Sequence, residues 1–341
     1  MRVVVTGASG NVGTSVLEAL GAEPAVDSVL GLARRPTQLA VPKVSWATAD
    51  VSSSDLVPLF RGADVVVHLA WLIQPSRRDD LLSATNVHGS ARVFQAVADA
   101  GVPALVYASS VGAYSPGPKD RPVDESWPTG GLASSFYARH KSAVERILDD
   151  FEAARPEVRV VRLRKALVIK REAAWGVRKL FLGRLVPGAL LRPGRIPVVP
   201  RHPRLVFQAV HSRDAADAYR RAVIGDARGP FNVAADPVLD GAELGRVLGA
   251  RAVPVPAPAL RGAAALSWRL HLQPTPPGWV DLALGVPVLD TGRARRELGW
   301  RPTVSAGQAL RELLEALADG SAAPTPPLEA GALPTSSVDA A

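Results

Sequence analysis

The chain has 341 residues, 47% hydrophobic and 21% charged, the balance of a globular protein long enough for one large domain or two close lobes. It has no cysteine, which excludes disulfides, thiolate metal sites and cysteine nucleophiles. The net charge of +8 is gathered between Arg155 and Arg204, where fourteen Lys or Arg stand against Glu157 and Glu172, but no nucleic-acid module signature accompanies it and aromatics are only 5%.

"RVVVT" (2–6), "SVLGLA" (28–33), "KVSWATA" (43–49), "DVVVHLA" (64–70), "ALVYAS" (104–109) and "VRVVRL" (158–163) read as strands, several of them apolar on both faces. Between them "NVGTSVLEALG", "SDLVPLFRG", "TNVHGSARVFQAVADAG" and "FYARHKSAVERILDDFEA" read as amphipathic helices, several ending at glycine. This alternation predicts an α/β fold, a doubly wound parallel sheet with right-handed crossovers. Past residue 165 the pattern loosens into a basic, Pro- and Gly-broken stretch. "VFQAVHSRDAADAYRRAV" comes next as strand and helix, with Asp214 placed to cap the helix, and then the short strand "GPFNVAAD". Residues 236–318 mix short helices with "VPVPAPA" and the "PTPPGW" turn region, and 319–341 is expected to be a disordered tail. The opening "MRVVVTG" runs into a strand without a basic-then-apolar leader, and no apolar run approaches the ~20 residues of a membrane span. The expected location is cytoplasmic, with no integral membrane segment and no nucleic-acid partner.

Gly7, Gly10 and Gly13 lie between a strand and a helix, the context in which glycines let backbone approach a pyrophosphate at a helix N-terminus. Gly13-Thr14-Ser15 lacks the lysine of a nucleotide-hydrolysing loop, so a dinucleotide is the expected ligand. The second strand ends "GLARRP", with Ala33 near the place of an acid that would hold a ribose 2′-hydroxyl. Arg34 and Arg35 come after it, and a guanidinium grips a 2′-phosphate with charge-assisted hydrogen bonds. NADP(H) is therefore favoured over NAD(H). Tyr137 and Lys141, four residues apart, share a helix face, where a nearby ammonium is expected to lower the phenol's pKa into a working range for proton transfer.

The order Thr6-Gly7-x-x-Gly10-x-x-Gly13 resembles the extended branch of the short-chain dehydrogenase/reductase superfamily, the NAD(P)-dependent epimerases and dehydratases. The resemblance covers residues 1 to 318 and is strongest over the first 165. It implies a Rossmann-type core with a smaller C-terminal substrate lobe: core over 1–165 and again over 206–235, lobe over 166–205 and 236–318. It places Thr6, Gly7, Ser9, Gly10, Asn11, Val12 and Gly13 around the dinucleotide, with Asp50 and Val51 of "ADV" beside the adenine. Leu69 and Ala70 of "HLAW" fall at the strand end beside the cofactor, and Trp71 stands where a small residue is more usual. It points to Ser110 of "YASSVGAY" as the hydroxyl that holds the substrate oxygen, to Tyr137 as acid/base and to Lys141 as its tuner. Asn86 is carried over as an orderer of the Lys141 region, against a local helix hydrogen bond, and "ELGWRP" (297–302) as a structural signature. A homodimer is a family expectation.

The reaction implied by the resemblance is hydride transfer to or from a carbonyl or secondary alcohol. The alternatives are a nucleotide-sugar epimerase and a non-catalytic NADP(H)-binding regulator. "SSFYARHK" offers no carboxylate just before the tyrosine, which counts against sugar dehydration. Arg164-Lys165 replaces the family's Arg-Pro, and Trp175, Leu180, Phe181 and Leu185 lie among basic residues where a sugar-nucleotide pattern is normally found. A hydrophobic or anionic small-molecule substrate, or arginines snorkelling outward from a packed lobe, both suit that lining. A membrane-surface helix over 170–190 is opposed by Gly176, Gly183 and Pro187. His68 and His211 at strand ends read as structural, His140 is expected to point off the Tyr–Lys face, and the six histidines show no metal-ligand spacing.

Overall fold

Three consecutive valines dictate the first strand, β1 (Arg2–Thr6), because β-branched side chains favour an extended backbone. Val3 and Val5 enter one core cluster with Leu17, Leu20, Phe231 and Trp300, whereas Val4 enters another with Phe60, Phe94, Leu105 and Leu148. The strand is thus buried on both faces, as a parallel sheet between helical layers requires. The computed structural model describes residues 1–35, 37, 39–73, 78–182 and 191–330.

Among the described residues the strands are β1, β2 (Ser28–Ala33), β3 (Val44–Thr48), β4 (Val65–His68), β5 (Ala104–Tyr107), β6 (Pro122–Val123), β7 (Arg159–Lys165), β8 (Leu167–Ile169), β9 (Val198–Arg201), β10 (Phe207–His211), β11 (Gly229–Val233), β12 (Ala235–Leu239), β13 (Arg251–Pro254) and β14 (Val288–Leu289). The α-helices are α1 (Asn11–Gly21), α2 (Val57–Phe60), α3 (Asp79–Ser83), α4 (Gly89–Asp99), α5 (Phe136–Ala154), α6 (Ala174–Val177), α7 (Ser212–Ile224), α8 (Gly241–Leu248), α9 (Ala257–Arg269), α10 (Gly278–Gly285), α11 (Gly292–Glu297) and α12 (Ala306–Asp319). Seven strands pair in parallel in the order β11-β7-β5-β4-β1-β2-β3. The sheet grows outward in both directions from the β1–β4 pair. That reversal opens a crevice at the carboxyl ends of the two strands, where open α/β sheets bind ligands.

The chain after β7 divides between two tasks. β11 returns to the large sheet, while β8, β10 and β12 form a small sheet beneath α12, whose Ala309, Leu313 and Leu317 pack on Ile169, Ala209 and Leu239. Asp214 does not cap α7: the His211 ring does so by accepting from the Arg213 N–H at 3.1 Å. Asp214 instead accepts from Thr303 Oγ1 and the Val304 N–H, and its carbonyl receives the Trp300 indole N–H at 2.8 Å. "ELGWRP" is therefore a clasp that locks the fully buried Trp300 into the main core. Residues 321–330, within the stretch expected to be a tail, return to the body. The Ser321 carbonyl accepts from Trp175 N–H, and Leu328 is buried. Residues 331–341 of that tail, and Gly183, Leu185 and Pro187, lie outside the described residues. No helix among the described residues is long and apolar enough to cross a membrane.

Candidate active site

The turn from β1 into α1 is built on glycine where nothing else fits. Gly7 adopts φ +67°, and a Cβ there would lie 2.6 Å from the Ala70 nitrogen; one on Gly13 would lie 2.4 Å from the Gly7 carbonyl oxygen. Gly10 precedes the helix without any side-chain cap, so the first N–H groups of this 11-residue helix point into the crevice unsatisfied by the chain's own side chains. Asn11 donates to the Val168 carbonyl, and its Oδ1 is buried with no partner. Ser9 is nearly buried in the turn and Val12 packs on the main core. Thr6 is committed elsewhere: its hydroxyl bonds His68 Nδ1 at 2.7 Å, while His68 Nε2 meets the Ser90 hydroxyl at 3.0 Å. Burial, with the charge of Lys141, pushes His68 down to about 3, so the ring is neutral and structural. Leu69 and Ala70 approach the turn through backbone, the Leu69 N–H donating to the Thr6 carbonyl at 3.1 Å. These features fit a dinucleotide: an open helix end, a backbone cradle that any Cβ would fill, and an orphan buried amide oxygen.

At the far end of this crevice Arg34 and Arg35 are exposed just beyond β2. Asp50 comes just after β3 and accepts from both the N–H and the hydroxyl of Ser52, at 2.8 and 2.6 Å. Burial pushes its carboxyl up, but those bonds and the charge of Arg34 outweigh it and hold Asp50 below the usual carboxylate value. The neighbouring Val51 is buried.

Ser110, Tyr137 and Lys141 converge at the carboxyl end of β5. Ser135 caps α5 by accepting from the Ala138 N–H, and the helix then turns Tyr137, Lys141 and Glu145 to one face. Ser110 accepts from the Gly112 N–H at 3.1 Å, and Gly112 brings the Ser110 hydroxyl and the Tyr137 ring to one spot: a Cβ there would lie 3.6 Å from Ser110 Oγ and 2.8 Å from Tyr137 Cε1. Burial raises the phenol's pKa and the neighbouring Ser110 hydroxyl only partly offsets this, so Tyr137 is protonated at neutral pH. This reverses the expectation of a lowered pKa. Lys141 is buried, donates to the Ala108 carbonyl at 2.6 Å and the Tyr107 hydroxyl at 3.3 Å, and lies 3.4 Å from the centre of the Trp71 ring. Burial and the charge of Lys165 draw its pKa well down, against the opposing pull of Glu145. An ammonium that is itself destabilised does little to favour a phenolate.

Beneath this set lies a second layer that sequence reasoning missed. Glu145 is fully buried between two guanidiniums: Arg164 grips it through Nε at 3.1 Å and Nη2 at 2.8 Å, and Arg162 through Nη1 at 3.0 Å. Burial pushes the carboxyl up, but the Arg164 and Arg162 contacts dominate and leave it at about 2. Glu145 also receives the Ser109 hydroxyl, so the network underpins the strand end that carries Ser110. Lys165 donates to the Ser109 carbonyl and the Tyr219 hydroxyl, each at 2.8 Å, and burial draws it down to about 7. Lys170 reaches Thr14 Oγ1 at 2.5 Å behind the first turns of α1. Four residues of the basic stretch are thus internal scaffolding, neither a solvated face nor a docking patch. Their strand and loop positions carried no periodic signal that could have revealed this.

Asn86 sits in a π-helical turn (Ala84–His88) and bonds the Leu72 backbone in both directions, at 2.7 and 2.9 Å. It fixes the loop carrying Trp71 rather than touching Lys141. His140 is buried 3.5 Å from Asn86 Nδ2 and 3.3 Å from an Asp79 oxygen. His211 caps α7 and meets Glu312 at 3.4 Å. Among the described residues no group of three or more His, Asp or Glu is placed to hold a metal ion. Two further residues touch the phenol. Gly112 is held so close that a Cβ would lie 2.8 Å from Tyr137 Cε1, and Trp279 packs against the ring at 5.2 Å between centroids.

The doubly wound sheet and the Ser–Tyr–Lys set define a dinucleotide-binding protein of the extended short-chain dehydrogenase/reductase type. Residues 3–234 match the model of the NAD dependent epimerase/dehydratase family, and the chain belongs to that family. An uncharacterized protein of Mycobacterium tuberculosis is 26% identical over 316 residues, covering 92% of this chain, which spans 29% of the length of that relative. The L-arabinose 1-dehydrogenase (NAD(P)(+)) of Haloferax volcanii is 34% identical over 110 residues, 32% of this chain and 41% of its own. Among solved structures, the UDP-glucose 4-epimerase of Thermus thermophilus, in complex with NAD, superimposes with a TM-score of 0.67 at 23% identity, over 93% of this chain and 99% of its own. That likeness is one of fold.

Proposed function

We propose that the chain is an NAD(P)-dependent oxidoreductase that interconverts a carbonyl and a secondary alcohol on a small molecule, with NADP(H) preferred. The observation that carries this reading is the meeting of Ser110, Tyr137 and Lys141 at the carboxyl end of β5, in the crevice that the open end of α1 faces. A nicotinamide bound there supplies or accepts the hydride. The chain's residues do the rest. The Ser110 hydroxyl holds the substrate oxygen where charge develops. The Tyr137 phenol, kept protonated by burial, donates its proton to that oxygen during reduction and receives it back in the reverse direction. Lys141, on the same helix face as the phenol and fixed by its hydrogen bond to the Ala108 carbonyl, can orient a ribose by donating from its amine. Arg34 and Arg35, exposed beyond β2 with no acid at the strand end, suit a 2′-phosphate.

The same residues serve a nucleotide-sugar epimerase, which returns its cofactor unchanged each turnover; net consumption of NADPH separates the two. A binding-only regulator has no use for the phenol. The test is paired. Thermal shift should be larger with NADP⁺ than with NAD⁺, and Tyr137→Phe should keep that shift while losing turnover. A larger NAD⁺ shift overturns the cofactor preference, and full activity in Tyr137→Phe moves proton transfer elsewhere.

A further inference from the structure

Two tryptophans from distant parts of the sequence pack on the Tyr137 ring, and two phenylalanines back one of them. Trp279 lies over it with centroids 5.2 Å apart and planes tilted by 34°, and Trp71 meets it edge-on at 5.9 Å. Phe181 and Phe136 stand edge-on to Trp279, at 5.1 and 6.2 Å. The fold builds this arrangement at close quarters. Gly278 presses on the loop before α5 so tightly that a Cβ would lie 2.3 Å from the Ser134 carbonyl oxygen. The Thr275 hydroxyl ties the same turn to the carbonyls of Leu180 and Phe181. The indole N–H groups of both Trp71 and Trp279 are buried and lack any hydrogen-bond partner. A buried donor is normally satisfied, so two unpaired ones beside a reactive hydroxyl call for an acceptor from outside the chain.

We infer that the substrate carries its reacting oxygen on a flat, apolar, conjugated ring system, held among Trp71, Trp279 and Phe181, with an oxygen that accepts from an indole N–H. Planar rings stack or meet edge-on with such walls. A sugar diphosphate needs free cations, whereas the nearby Lys141 and Lys165 are spent on the carbonyls of Ala108 and Ser109. The inference rests on the oxidoreductase reading and extends it to the substrate.

The test uses the full chain with NADP⁺ and three probes: 2-acetylnaphthalene, 2-butanone and UDP-glucose. Equilibrium binding should rank 2-acetylnaphthalene first. Trp279→Leu should weaken that binding at least tenfold, Trp279→Phe should restore most of it, and the NADP⁺ thermal shift of both variants should match the parent, which also certifies their folding. With NADPH, one equivalent should be consumed per ketone reduced to alcohol. Preferential binding of UDP-glucose, or 2-acetylnaphthalene binding unchanged within twofold in Trp279→Leu, overturns the inference. Trp279-dependent binding of the aryl ketone without NADPH consumption leaves the inference standing and sinks the oxidoreductase reading. Turnover of 2-butanone without binding of the aryl ketone does the opposite.

Discussion

Replacing Glu145 by Gln keeps the shape of the side chain and removes the charge that two buried guanidiniums share. Arg162 retains Asp149 and Glu152 as partners, but Arg164 is left with only the Tyr114 hydroxyl and the Glu125 carbonyl. Breaking one side of a buried ion pair costs about 3–5 kcal/mol. The pKa gives an independent scale: a carboxyl at about 2 in the fold and 4.5 in the free chain corresponds to about 3 kcal/mol at neutral pH. The sign is set by the depressed value. The contribution is complete above pH 4.5 and is lost as pH falls from there towards about 2, because the unfolded chain takes up the proton first. Urea denaturation should therefore show Glu145→Gln destabilised by about 3–5 kcal/mol at pH 7, with the gap narrowing by about 2 kcal/mol at pH 3. A gap below about 1 kcal/mol at pH 7, or one of equal size at both pH values, would refute the view of Glu145 as the buried anion on which this strand end rests.

Gly112→Ala places a methyl 2.8 Å from the Tyr137 ring, against a normal carbon contact of about 3.5–4.0 Å. The phenol must shift by the better part of an ångström, so kcat/KM should fall about 100-fold while the NADP⁺ thermal shift is retained; steady-state kinetics beside differential scanning fluorimetry reads both. Gly13→Ala drives a Cβ to 2.4 Å from the Gly7 carbonyl oxygen, backbone that cannot rotate away. Calorimetric titration should find NADP⁺ affinity reduced at least about tenfold, a loss of about 1.4 kcal/mol or more, and undiminished affinity would show that the loop does not cradle the dinucleotide.

The large sheet was legible because its strands are written as short β-branched runs and its helices as apolar stripes, both set by local periodicity. β1 and β2 begin and end as read from sequence, and β7 differs by a residue or two, since backbone geometry there is governed by neighbours in the chain. The crevice was legible from the glycine spacing, because close backbone approach is a property of the residue itself. Asp214 misled: its place at the head of α7 suggested a cap, yet the Thr303 hydroxyl and the Val304 N–H, about ninety positions away, claim its carboxylate. The basic stretch misled similarly, because charge counts say nothing of where a guanidinium finds its carboxylate.

By itself the sequence determined a doubly wound α/β chain with a glycine-built crevice and a Tyr–Lys helix face, all consequences of short-range periodicity and spacing. Only the tertiary structure decided what surrounds the phenol. The "PTPPGW" turn delivers Trp279 to a tyrosine 142 positions earlier, and Glu145 gathers two arginines from the neighbouring strand β7. Such long-range packing is set by the summed burial of the whole chain. The electrostatics are its consequence: burial holds Tyr137 protonated and draws Lys141 down, an outcome that spacing along one helix could not reveal.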